Sequence, residues 1–165
     1  MDRLILFRHG KAEPDSASGD DFDRRLEPRG ARESAAMGES LADLGMRPDL
    51  ALVSAAIRTR ETWAAAETVF PGAEVRFEKD LYLADAGSIR QAAERAGRGR
   101  GTVMVVGHNP GLQELAVDLL TEGKAPPALI ARAARNFPPG AAAVFLIDGK
   151  GRPAFDGLFY PERGE

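Results

Sequence analysis

Short apolar runs and longer amphipathic stretches alternate along the chain. Positions 4–7 form a continuous apolar run that stops at Arg8-His9-Gly10, the pattern of a buried strand. A polar stretch, 11–25, is rich in Asp, Ser and Gly and reads as a surface loop. Helical spacing predicts a helix over 29–44, with Gly45 near its C-cap and Pro48 beyond it. A second strand is expected over 50–53, ending at Ser54, and an alanine-rich helix over 55–69 is stopped by Pro71-Gly72. Alternation over 74–77 suits a third strand, and 88–96 a short helix, followed by a Gly/Arg connection over 97–101. The most strand-like run, 102–106, ends at Gly107-His108-Asn109-Pro110-Gly111. A helix over 110–120 follows, with Asn109 as N-cap and Pro110 at the first helical position, both favoured there.

Pro126-Pro127 and Pro138-Pro139 bracket an alanine-rich piece within 123–139 that reads either as a short helix or as a covered loop. The chain closes with a hairpin, 142–147 and 154–159, across the turn residues Asp148-Gly149-Lys150-Gly151. Strands alternating with helices predict an α/β three-layer sandwich: a mostly parallel central sheet, helices on both faces, and a C-terminal hairpin. Neither an internal repeat nor an interdomain linker interrupts the pattern, so 1–165 is expected to form one domain. In such sheets ligands bind outside the carboxyl ends of the strands, which directs attention to the residues just after each strand.

Composition narrows the chemistry. In 165 residues, 44% are hydrophobic and 28% charged, with net charge -3, a globular balance that argues against a nucleic-acid partner. Cysteine is absent, which removes disulfides and thiolate catalysis. The N-terminal apolar run is too short for a signal peptide or a membrane span, so a soluble, cytoplasmic protein without a membrane partner is expected.

Three predicted strand ends carry polar groups. The first supplies Arg8 and His9, and the second Ser54 with Arg58 in the following helix. The run ending at Gly107 supplies His108 and Asn109. Both histidines of the chain lie at such ends, each beside a glycine. One histidine alone reads as a strand terminator bonded to backbone. Two imidazoles and two guanidinium groups at one sheet edge would repel one another without an anion among them, and arginine's planar fork matches phosphate oxygens. The N-terminus of the helix beginning at Pro110 would add partial positive charge there. Arg58 and Thr62 share a helix face, whereas Arg60 lies roughly 200° around the axis and reads as a solvated charge. The acidic loop residues Asp20, Asp21 and Asp23 could gate such a site, but a charged surface loop is the simpler account. Trp63, Met37 and Phe155 read as core, and the arginines of 95–100 as a solvated connection.

Arg8-His9-Gly10, the Ser54-x-x-x-Arg58-x-x-x-Thr62 helix start and Gly107-His108-Asn109-Pro110, in that order, resemble the histidine phosphatase superfamily, whose phosphoglycerate mutase-like fold this implies. The short length, the segment Asp23-Arg24-Arg25-Leu26-x-x-Arg29-Gly30 and the closing hairpin look like the bacterial SixA-type phosphohistidine phosphatases. The resemblance implies that His9 is the nucleophile that becomes phosphohistidine, with Arg8, Arg58 and His108 completing the catalytic pocket. Arg8, Arg58, His108 and Asn109 are the expected phosphate-binding residues. It further implies a phosphorylated protein as partner, with phosphohistidine the bond broken, and neither metal nor other cofactor. Lys11-Ala12-Glu13 departs from the Thr- or Asn-rich continuation of mutase-like relatives. A general acid is expected in the stretch holding Glu78, Asp80 and Asp85, each of which reads equally as a surface carboxylate. Two alternatives remain open: a phosphatase of small phosphoesters, and a non-catalytic phosphate-binding or scaffold protein on the same fold.

Overall fold

The computed structural model describes residues 1–162, so the last three residues of the expected 1–165 domain lie outside the description. Among the described residues, six strands form one sheet: β1 (Arg3–Arg8), β2 (Leu50–Ser54), β3 (Glu74–Glu78), β4 (Thr102–Gly107), β5 (Ala142–Ile147) and β6 (Pro153–Phe159). Their spatial order is β3-β2-β4-β1-β5-β6. The first four in that order run parallel, while β5 and β6 are antiparallel additions from the closing hairpin.

The uninterrupted apolar runs have a simple cause: both faces of the sheet are covered. Leu4, Leu6, Leu50, Leu52, Val103 and Val105 point to one face, where helices α3 (Ala86–Ala96), α4 (Gly111–Glu122) and α5 (Pro127–Arg135) pack. Their strand neighbours Ile5, Phe7, Ala51, Val53, Met104 and Val106 point to the other, under α1 (Pro28–Asp43) and α2 (Ile57–Ala66). Met37 and Trp63 belong to this second core, and Phe155 is half-buried against the first. Each fully buried Leu, Ile or Phe contributes about 1.5–3 kcal/mol of transfer free energy. The three-layer sandwich is therefore held from both sides.

Local departures from the expected elements have identifiable reasons. Helix α4 starts at Gly111 with Pro110 as its N-cap and no side-chain cap. Asn109 is not the cap: its Nδ2 donates to the Phe137 carbonyl at 2.9 Å, and its Oδ1 accepts no helix N–H among the described residues. Segment 123–139 resolves into helix α5 and a turn, anchored by Phe137, which is fully buried in the first core. The helix expected over 55–69 is α2 followed by a tight 3-10 turn at Glu67–Val69. Arg60 is exposed, as expected, and lies over the Phe77 ring with its guanidinium carbon 4.3 Å from the centroid.

Register places the site. Arg8 pairs with Gly107, and Val53 with Val106, so β1, β4 and β2 finish almost level. Three adjacent strands therefore release His9, His108 and the approach to α2 at one edge.

Candidate active site

His9 follows β1 and is pinned by its backbone N–H to Gly107 O at 3.1 Å. The chain then turns at Gly10, whose N–H donates to Thr62 Oγ1 at 3.0 Å. The Thr62 hydroxyl in turn donates to Arg58 O at 2.8 Å, tying the His9 turn to the helix that carries Arg58. Only glycine fits here: a Cβ at Gly10 would stand 2.6 Å from Gly30 O and 2.7 Å from Ser34 Oγ.

The His9 ring is 7% exposed. Its Nδ1 lies 2.7 Å from Gly10 O, and a carbonyl can only accept. Nδ1 therefore carries the proton, and the Nε2 lone pair faces the site. Burial, aided by neighbouring His108 and the Arg8 and Arg58 charges and opposed by the Gly10 bond, lowers its pKa to about 3. The ring is therefore neutral at physiological pH.

The His108 ring centroid lies 5.4 Å from that of His9, with the planes at 55°. His108 is 2% exposed. Its Nε2 meets Ser54 Oγ at 2.8 Å, at the end of β2. Its Nδ1 is buried without a hydrogen-bond partner among the described residues. Burial first, then the Arg58 charge, lowers its pKa to about 3, with Asp21 opposing. Both imidazoles are thus uncharged, and the positive charge comes from the arginines.

Arg58 is 3% exposed, a guanidinium taken out of water at a cost that demands close partners. Arg8 donates from Nη1 to Phe137 O at 3.0 Å, the same carbonyl that receives the Asn109 amide. Gln113 joins this brace, donating from Nε2 to Ala133 O at 2.9 Å. The turn after α5 thereby holds the ends of β1 and β4 together.

The structure brings Arg8, His9, Arg58 and His108 to one edge. Glu78 and Asp80 lie elsewhere, lining a cleft with Arg76, Ser88, Gln91 and Arg95. Asp85 caps α3, accepting from Ser88 N at 2.7 Å. The carboxylate that reaches the cluster is Asp21. It accepts from Arg58 Nη2 at 3.0 Å through Oδ2, and from Arg24 Nη1 at 2.8 Å through Oδ1. Tyr82 hydroxyl also donates to Asp21 Oδ2, at 2.5 Å. The Tyr82 hydroxyl first, with the two arginines, holds the Asp21 carboxyl far below the usual carboxylate range.

Tyr82 spans the site, with its ring edge-on to His108 at 5.5 Å between centroids and edge-on to Phe22 at 5.0 Å. Sequence reasoning treated Asp21 as a surface charge and passed over Tyr82. A neighbouring run of acids in 20–23 gives no local sign of which one is engaged. Among the described residues, no three His, Asp or Glu side chains gather where they could share a metal ion. No helix among them is long and apolar enough to cross a membrane.

Residues 4–94 match the model of the Histidine phosphatase superfamily (branch 1). An uncharacterized protein of Mycobacterium tuberculosis is 34% identical over 143 residues, spanning 86% of this chain and 87% of its own. In structure the chain is similar to the Agrobacterium tumefaciens protein that bears the name phosphohistidine phosphatase SixA. That likeness has a TM-score of 0.83 at 29% identity, over 97% of this chain and 98% of the other. A Nakamurella multipartitia protein bearing the same name gives a TM-score of 0.85 at 27% identity, over 97% and 96%. The fold is phosphoglycerate mutase-like.

Proposed function

The chain belongs to the histidine phosphatase superfamily, and from that premise we propose that it is a phosphohistidine phosphatase with His9 as its nucleophile. The observation that carries this reading is the neutral His9 ring, its Nε2 lone pair turned toward a site shared with His108, Arg8 and Arg58.

The chemistry follows from those positions. Nε2 of His9 attacks phosphorus and forms an N–P bond while the substrate's N–P bond breaks. The electron pair leaves with the substrate imidazole, which departs neutral when its distal nitrogen carries a proton. Arg8 and Arg58 offset charge on the equatorial oxygens, and an Nδ1 proton on His108 would donate to one of them. Water then attacks the phosphohistidine, the pair returns to Nε2, and inorganic phosphate leaves with the surplus proton passing to solvent. An imidazole able to leave neutral needs less help from a positioned acid than an alkoxide does. This agrees with Glu78 and Asp80 lining a separate cleft and Asp85 being engaged as the cap of α3.

We read 1–165 as one such domain acting in the cytoplasm on a phosphorylated signalling protein, without metal. The test is a trapping experiment. Wild type incubated with a labelled phosphoryl donor should acquire an acid-labile label, and His9→Ala should acquire none. Hydrolysis of a phosphohistidine protein should outpace that of simple alkyl phosphates. Absence of label on wild type favours a phosphate-binding module, and equal rates on both substrates favour a general phosphoesterase.

A further inference from the structure

Between β1 and α1 the chain makes a loop with its own neck and its own internal bonds. Ala12 bridges Leu26, Glu13 N–H donates to Arg25 O at 2.8 Å, and Arg24 Nε donates to Glu13 O at 2.7 Å. Inside the loop, Ser16 Oγ donates to Asp20 O and Ser18 Oγ to Asp23 Oδ2. Gly19, at φ +84°, supplies the left-handed turn between them. The loop is therefore a pre-shaped unit, and its tip delivers Asp21 to Arg58.

The contact has a particular form. Arg58 donates from Nη1 to the Asp21 carbonyl at 2.7 Å and from Nη2 to the Asp21 carboxylate at 3.0 Å. Two oxygens on one guanidinium is the clasp that a phosphoryl group makes. The Asp21 side chain is 44% exposed, whereas that of Arg58 is 3% exposed. Charge on the loop thus reaches inward to an arginine that is almost wholly out of solvent. Arg58 Nε is buried without a hydrogen-bond partner among the described residues, so the guanidinium keeps a donor for a further acceptor. Asp21 also has holds that do not depend on Arg58: Arg24 on Oδ1 and the Tyr82 hydroxyl on Oδ2.

We infer that Asp21 is a functional residue of the anion site: its carboxylate occupies Arg58 as an oxyanion would, weakens the grip on free phosphate, and so favours discharge of the product. The inference rests on the phosphatase reading above. With both imidazoles neutral, two guanidinium groups face the phosphate dianion, an arrangement that would retain product as readily as it binds substrate. One fixed negative charge on the same arginine lowers that retention. At such separations and an effective dielectric near 20, a like charge is worth an order of magnitude or more in affinity. When the dianion engages Arg58, Arg24 and Tyr82 keep the displaced carboxylate in place nearby, ready to return.

The experiment measures the binding of inorganic phosphate to the full chain by calorimetry, at matched ionic strength and neutral pH. Asp21→Asn removes the charge but retains an oxygen acceptor for Nη2, and the backbone carbonyl to Nη1 is unaltered. It should bind phosphate about tenfold tighter than wild type or better, and Asp21→Ser should shift in the same direction. Phosphate bound equally or more weakly by both variants overturns the inference, since a residue that merely orients Arg58 would weaken binding when replaced. Failure of wild type to label His9 strikes the phosphatase reading, whereas unchanged phosphate affinity beside a labelled His9 overturns this inference alone.

Discussion

Acidification should unfold this protein through its two histidines before its carboxylates are reached. His9 and His108 have folded pKa values near 3, mainly because burial disfavours the imidazolium, against about 6.5 in the unfolded chain. As pH falls, the unfolded chain takes up protons that the folded one refuses. The stability these groups confer is thus complete above about pH 6.5 and is lost progressively toward pH 3. Between pH 7.5 and 5.0 the loss is about 2 kcal/mol per histidine, or about 4 kcal/mol for the pair. Because pH 5.0 lies well above the folded values, that figure barely depends on where near 3 they fall. It is a large share of the 5–15 kcal/mol typical of a domain. Urea denaturation of wild type and of the double variant His9→Gln, His108→Gln, at both pH values in phosphate-free buffer, isolates the effect. Wild type should lose about 4 kcal/mol more than the double variant. Parallel losses in the two proteins would refute the claim that these imidazoles are buried and neutral.

Gly10→Ala should lower kcat by about a hundredfold or more, because its Cβ would stand 2.6 Å from Gly30 O and the turn carrying His9 must shift; kinetics within threefold of wild type would contradict the crowding. Arg58→Lys should cut kcat/KM by about a hundredfold, since a point charge cannot reproduce the planar fork that meets two oxygens at once. A lysine variant of near-normal kcat/KM would show that charge alone suffices there.

Much of this was legible in the sequence, for a physical reason. A strand covered on both faces must be apolar throughout, so β1, β2 and β4 announce themselves, and so does the polar residue at which each one stops. Glycine beside each histidine marked where the backbone turns. What stayed hidden depended on partners far along the chain. Asp21 is distinguished from Asp20 and Asp23 by Arg58, 37 residues later, and no local pattern encodes that. Asn109 has the preference of a helix cap, yet its side chain is oriented by a bond to the Phe137 carbonyl, and its Oδ1 takes no helix N–H among the described residues. The fate of 123–139 was settled by burial of one aromatic ring, which neither proline pair reveals.

That Phe137 carbonyl, shared by Arg8 and Asn109, has a consequence for how the molecule can be divided. The residues that resemble the family most plainly end well before it, yet the first guanidinium of the pocket is steadied by an oxygen contributed from beyond α5. Excising the front portion would leave His9 and Arg8 without the strut from beyond α5. A rearranged chain with new ends at the β5–β6 turn would keep every strut in place.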